Sequence, residues 1–202
     1  MAGMREAVAR LHRALAQHEK ILIYGDYDVD GTMAVVVLLT ALRMLGAEVE
    51  AYVPHRLTDG YGMRTPVVEE AAANGIRVVI SVDTGIREHA VLARARELGV
   101  DCIVTDHHLP DDHLPPARAI LNPRRPDCGY PEKSLAGVGV AFKLAQAGGK
   151  WLSGRWWSVT MQSTPSSRPR ASTACSRMPV STLITMRMPF AAASSTTGTR
   201  MP

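Results

Sequence analysis

Hydrophobic and polar positions follow two alternating periods along the first 150 residues. Met4, Val8, Leu11 and Leu15 recur at helical spacing, and KILIY (Lys20 to Tyr24) is then a short apolar run, the pattern of a buried strand. This run ends in the acidic loop GDYDVDGT. From about Thr32 to Leu45 the pattern predicts an apolar helix closed by Gly46, and EVEAYVP (Glu48 to Pro54) is the next strand. A polar loop, HRLTDGYGM, follows. Thr65-Pro66 opens another helix, where the missing proline N–H costs nothing in the first turn, and Asn74-Gly75 ends it. IRVVISV is a strand, Ile86 to Leu98 is helical with Gly99 as its stop, and VDCIVTD is a strand running into His107 and His108. Strands separated by helices of this length predict an α/β fold, a parallel sheet sandwiched by helices. Sites in such sheets form beyond the carboxyl ends of the strands.

The periodicity stops after Gln146. The remaining residues are dense in Ser, Thr, Met, Arg and Pro, and all three Trp fall near the start of that stretch. Charge divides at the same place. Residues 1–150 hold all 19 acidic residues and 17 of the 23 Lys and Arg, a net charge of −2, whereas residues 151–202 hold six Arg and no acid, a net of +6. Three readings of this segment stay open: a disordered tail, a basic arm for nucleic acid, or a frameshifted continuation. The third rests on codons, since Ser-Thr, Thr-Met and Arg-Met in a GC-rich gene become Asp-containing sequence two bases later. No apolar run reaches the roughly 18 residues needed to span a bilayer, and the N-terminus lacks the apolar centre of a signal peptide, so a cytoplasmic location is expected. Cys102, Cys128 and Cys175 lie far apart without CxxC spacing, against both a disulfide framework and a cysteine-rich zinc site.

The chemistry lies at three strand ends. Asp26, Asp28 and Asp30 follow the first strand, Asp83 follows IRVVISV, and Asp106, His107 and His108 follow VDCIVT. If those strands lie side by side, the groups converge, and clustered carboxylates are costly to keep charged unless a cation or protons neutralise them. Asp oxygens with neutral imidazoles suit Mn²⁺ or Mg²⁺ better than a structural zinc site. A pair of such ions about 3.5 to 4 Å apart would activate water and stabilise the attacking and leaving oxygens at phosphorus. Single Asp residues at strand ends more often form turns or cap helices, and Asp26 and Asp59 are assigned that role. His12, His18, His89 and His113 read as surface residues.

Four motifs, YGDYDVDGTMA, SVDTGI, TDHH and LAGVGVAFKLA, together with NPRRPDCGYP, resemble in order and separation the DHH phosphoesterase superfamily, most closely its RecJ-type single-strand-specific exonucleases. The resemblance covers about residues 4 to 147, so residues 1–147 are expected to be an incomplete DHH domain and residues 148–202 the basic tail. It implies that Asp28 and Asp30 each bind one of two Mn²⁺ or Mg²⁺ ions, that Asp83 bridges them and that His107 binds the second. Asp106 would orient the histidines, and His108 would contact the scissile phosphate. Arg56, Tyr61 and Gly62 match a loop close to the family's site, where a guanidinium could hold phosphate in bidentate fashion. Tyr24 stands where small-substrate members carry a metal-binding His, which favours a polynucleotide substrate.

The implied activity is stepwise 5′ to 3′ hydrolysis of single-stranded DNA in repair and recombination. The family's fourth metal-binding Asp and its second domain have no counterpart here, because no acid follows Gln146. Weakened metal affinity and half a DNA cleft are the expected consequences, and an inactive metal-binding fragment is the competing reading. DVDGT also resembles the nucleophile motif of haloacid-dehalogenase-type phosphatases, with Asp28 as nucleophile, Asp30 as acid/base and Asp111-Asp112 as a later acidic pair. That reading needs a Lys, and none lies between Lys20 and Lys133. A Rossmann site is poorly supported, since Gly137 and Gly139 lack the third glycine.

Overall fold

The computed structural model describes residues 1–153, with side chains as far as Gly149. Five parallel strands form one sheet: β1 (Lys20–Tyr24), β2 (Val49–Tyr52), β3 (Ile76–Val82), β4 (Asp101–Thr105) and β5 (Ala119–Leu121). Their spatial order is β2-β1-β3-β4-β5. Ile21 pairs with Val49 on one side and Val78 on the other, and Ile80 pairs with Ile103. Five helices accompany the strands: α1 (Met4–Ala16), α2 (Val29–Met44), α3 (Thr65–Ala73), α4 (His89–Glu97) and α5 (Gly137–Ser153).

Side chains on a strand alternate between faces, and this sheet buries both. Ile21, Ile23, Val78, Ile80 and Ile103 face α1, α2 and α5, packing on Leu11, Leu38, Leu42 and Leu144. Leu22, Tyr24, Val79 and Val104 face the other way, onto Val68 of α3 and Leu92 of α4. The expected sandwich is therefore the observed one. Leu38 is fully buried at the centre of the first layer. Leu38→Ala should lower unfolding free energy by about 2–5 kcal/mol in urea titrations, because lost transfer energy and a residual cavity add.

The structure departs from these expectations in places, among them α4, which begins at His89 rather than Ile86. α2 begins at Val29 rather than near Thr32, since the side chain of Asp28 caps it. β5 was not expected, being three residues long. α5 runs on to Ser153, past the point where periodicity fails, so the first residues of the low-complexity stretch are helical. The remainder of that stretch lies outside the described residues. Among the described residues no helix is long and apolar enough to cross a membrane.

Candidate metal centre

β1 and β3 are neighbours although β2 lies between them in sequence, so the chain leaves β1 toward one edge of the sheet and β3 toward the other. Loops part at such a reversal and leave a crevice beyond the carboxyl ends of the strands. Asp26, Asp28 and Asp30 enter it after β1, Asp83 directly after β3, and Asp106, His107 and His108 directly after β4.

Each acid is held differently. Asp28 Oδ1 accepts the Gly31 N–H at 2.8 Å. Gly31 has to be glycine, because a Cβ there would lie 2.6 Å from the Cβ of Asp26 and 2.8 Å from its carbonyl oxygen. Asp30 reaches the start of α5, where its two oxygens accept the N–H groups of Gly137 and Val138, each at 2.7 Å. A carboxylate is favoured at a helix N-terminus, where N–H groups lack partners. Asp26 is 4% exposed and accepts the Tyr27 N–H at 2.7 Å. Burial raises its pKa, opposed by that hydrogen bond and assisted by the charge of Asp28.

Asp83 is the most constrained. It is 1% exposed and adopts φ 60, a region that residues other than glycine enter rarely and hold only where the surroundings dictate it. Its N–H donates to Thr105 O at 2.9 Å. Its Oδ1 has no hydrogen bond, although His107 Nε2 lies 3.1 Å away without the alignment for one. Burial, followed by the charges of Asp30, Asp28 and Asp106, pushes its carboxyl up to about 7.

Asp106 behaves oppositely. Burial alone would raise it, but the His108 ring and the N–H groups of His108 and Ile86 hold it below the usual carboxylate range. The ring contact, His108 Nδ1 to Asp106 Oδ1 at 2.8 Å, in turn raises the imidazole. Asn122 fixes the same segment by donating to His108 O at 2.8 Å.

Two sets of donor atoms result. Ligand atoms of Asp83, His107 and His108 lie within 4.8 Å of one another, and so do those of Asp26, Asp28 and Asp83. Asp83 belongs to both sets. Carboxylate oxygens, imidazole nitrogens and a buried carboxylate oxygen without a hydrogen bond fit a divalent cation of the Mn²⁺ or Mg²⁺ class. Asp28, Asp83, Asp106, His107 and His108 are thus together as the sequence predicted. Asp30 stands 3.7 Å from His107 Nε2, and each of its oxygens also accepts one N–H of α5. Asp26, read from sequence as a turn former, lies inside the cluster.

The rim is aromatic and basic. The Arg56 guanidinium sits 5.5 Å from the Tyr27 ring centroid, Tyr27 is 6.5 Å from Tyr61, and Tyr61 is 6.2 Å from His108. Sequence reasoning did not find Tyr27. Gly62, at φ 94, serves the loop itself: its carbonyl accepts the Tyr24 hydroxyl at 3.1 Å, and a Cβ there would strike the Glu88 carboxylate. The phosphatase alternative loses its remaining parts here. Asp111 pairs with Arg87 and His89, and Lys133 donates to Pro123 O at 2.9 Å and to Cys128 O.

The family description "DHH family, N-terminal domain" matches residues 20–164. The chain belongs to the DHH family. Over 147 residues this DHH chain is 49% identical to the single-stranded-DNA-specific exonuclease RecJ of Bacillus subtilis (strain 168), a match covering 73% of the chain and 19% of that protein. It is 44% identical over 158 residues to the RecJ of Escherichia coli (strain K12), covering 78% and 27% respectively. The DHH chain therefore spans only about a fifth to a quarter of the length of these curated relatives. Its fold matches the crystal structure of an exonuclease RecJ bound to manganese with a TM-score of 0.69 and 40% identity, over 76% of this chain and 39% of that one. The RecJ of Thermus thermophilus in complex with Mn²⁺ matches with a TM-score of 0.63 and 38% identity, over 74% and 21%.

Proposed function

We propose that this DHH domain binds two divalent cations, Mn²⁺ or Mg²⁺, and hydrolyses phosphodiester bonds of single-stranded DNA stepwise from the 5′ end, in the cytoplasm. The observation that carries the reading is Asp83, a buried carboxylate common to two donor sets, with one oxygen free of hydrogen bonds. Likeness to RecJ exonucleases, two of them in manganese-bound structures, supports the metal and the substrate class. The bound ions would supply an activated water and charge stabilisation at phosphorus.

The chain's own residues prepare the rest. Asp83, Asp28, Asp30 and His107 would hold the ions, and Asp30 also ties the site to α5 through the Gly137 N–H. Asp106 engages His108 Nδ1 and favours the imidazolium, leaving Nε2 as the donor available to a phosphate oxygen. Arg56, Tyr27 and Tyr61 provide a guanidinium and two ring faces, the equipment of a single-strand groove, in which each stacked base contributes about 1–3 kcal/mol. Gly62 and the Tyr24 hydroxyl hold the loop that carries Arg56 and Tyr61.

The test is incubation of the chain with Mn²⁺ and a 5′-labelled single-stranded oligonucleotide, beside Asp83→Ala and a version extended by an in-frame RecJ-like continuation. Mononucleotide release abolished by Asp83→Ala supports catalysis by this chain. Mn²⁺ binding without release, with release restored in the extended version, supports the second reading, a metal-binding part of an exonuclease. Absence of both Mn²⁺ binding and release would overturn the proposal. In the active form, Arg56→Ala should weaken binding of the oligonucleotide at least fivefold by fluorescence anisotropy while leaving Mn²⁺ affinity unchanged.

A further inference from the structure

Outside the metal centre, a groove of about 450 Å³ runs along α1 beside the entry to β5. Four arginines line it, Arg5, Arg10, Arg13 and Arg118, against a single acid, Glu6. Glu6, Arg10 and Arg13 recur at three- and four-residue spacing, so α1 presents them on one face, and Arg118 stands directly before β5. The four cations are not equivalent. Arg10 is 4% exposed and pairs with Glu19 at 2.6 Å and with Asp101. Arg13 reaches the same Asp101 at 3.1 Å. These two fasten α1 to the start of β4, and carboxylates already match their charge.

Arg5 and Arg118 have no such employment. The Arg5 side chain is 93% exposed and meets only its neighbour Glu6, at 3.4 Å, a surface pair that contributes little. Arg118 is exposed and engaged through its backbone, whose N–H donates to Cys102 O at 2.8 Å; among the described residues no carboxylate pairs with its guanidinium. Two cations left unmatched over an open groove favour an anion that supplies several charges in a row.

A second observation ties the groove to the crevice. β5 carries the chain about 13 Å from Arg118 to Asn122. There Asn122 donates to His108 O and accepts the Arg124 N–H, each at 2.8 Å. The next residue, Arg125, turns back to donate to Ile120 O at 2.6 Å. The NPRRPDCGYP stretch thus forms the passage from the metal centre to the groove.

We propose that this groove binds backbone phosphates of a single DNA strand beyond the crevice, with Arg5 and Arg118 as the contacting residues. The planar guanidinium fork matches phosphate oxygens, and such contacts are independent of sequence. The inference rests on the single-strand reading above and adds to it a surface remote from the metals. An acidic peptide would meet the same arginines; continuity with the crevice favours the strand.

The experiment measures binding of a labelled oligothymidine to the full chain in chelator by fluorescence anisotropy, across salt concentrations. The six arginines of residues 151–202 are present in every variant, so only differences are read. The double variant Arg5→Gln with Arg118→Gln should bind at least fivefold more weakly at low salt. Its plot of log affinity against log salt should be shallower by about 1.4, because each lost single-strand phosphate contact removes about 0.7. Glu6→Gln should bind at least twofold more tightly, a gain that damage to α1 would not produce. Arg43→Gln with Arg96→Gln removes the same charge from two exposed positions elsewhere and should stay within twofold of wild type. An unchanged slope in the first double variant, or equal losses in both double variants, overturns the proposal. So does a preference for polyaspartate over oligothymidine that the first double variant loses, which assigns the groove to an acidic peptide. Loss of binding in Arg56→Ala alone leaves the single-strand reading standing without the groove. No oligothymidine binding by wild type, with Mn²⁺ or without, removes both.

Discussion

In chelator at pH 8, Asp83→Asn is expected to melt at a higher temperature than wild type, and in saturating Mn²⁺ the order should invert. The first half follows from burial. The Asp83 carboxyl is pushed from 3.8 up to about 7, by burial and then by Asp30, Asp28 and Asp106. The folded state therefore binds its proton more tightly than the unfolded chain does, and stability falls as pH rises from about 4 to about 7. The loss amounts to at most about 4 kcal/mol at pH 8, at 1.36 kcal/mol per pKa unit. His108 acts in the same direction: its raised pKa gives stability that is present below its ordinary value of 6.5 and is lost as pH rises through the folded value. Asn removes the Asp83 contribution and tolerates positive φ, which makes it a better probe than Ala. Mn²⁺ reverses the sign by binding only the folded site, adding about 2.7 kcal/mol per ion at a hundred times Kd, so that two ions together outweigh the burial loss. Calorimetric melts of both proteins at pH 5.5 and 8, with chelator and with Mn²⁺, give the full comparison. A chelated Asp83→Asn that melts below wild type at pH 8 would refute the burial argument.

Gly137→Ala should be as damaging as loss of a ligand, although it adds a single methyl group at the start of a helix. Helix propensity alone favours Ala by about 1 kcal/mol. The added Cβ, however, would lie 2.5 Å from Asp83 Oδ1 and 2.6 Å from its Cγ, and both partners are fixed. Asp83 is held by its backbone hydrogen bond to Thr105, and α5 by its two bonds to Asp30. Either the carboxylate or the helix must shift, which costs about 1–3 kcal/mol as overpacking does. Mn²⁺ affinity should fall at least tenfold. Gly148→Ala, on the same helix with nothing within 4 Å of its Cβ, is the control and should stabilise by about 0.5–1 kcal/mol. Urea unfolding in chelator and Mn²⁺ titration of both variants would separate the clash from any general effect on α5.

The sheet was legible because its strands are short apolar runs punctuated by Asn-Gly and Gly, and burial on both faces requires that pattern. β5 escaped because three residues, Ala-Ile-Leu, carry no period. The end of α5 escaped because the helical period fails after Gln146, yet the helix runs on through Gly148 and Gly149 while packed against α2. At the site, residues that follow strands directly were legible as a group. What sequence could not convey was which acid faces which strand. Asp26 reads locally as a turn, and its place beside Asp83 depends on β1 and β3 being neighbours. The bond from Asp30 to α5 joins positions 107 residues apart, beyond the reach of any local pattern.

That long link has a consequence for how the protein is made. A ribosome delivers Asp26, Asp28 and Asp30 first, then Asp83, and Gly137 last of these. Until the first turn of α5 has left the exit tunnel, Asp30 has no donors and the crevice has no wall on that side. The nascent chain thus carries a set of uncompensated acids until α5 emerges, and the crevice takes shape in that one step.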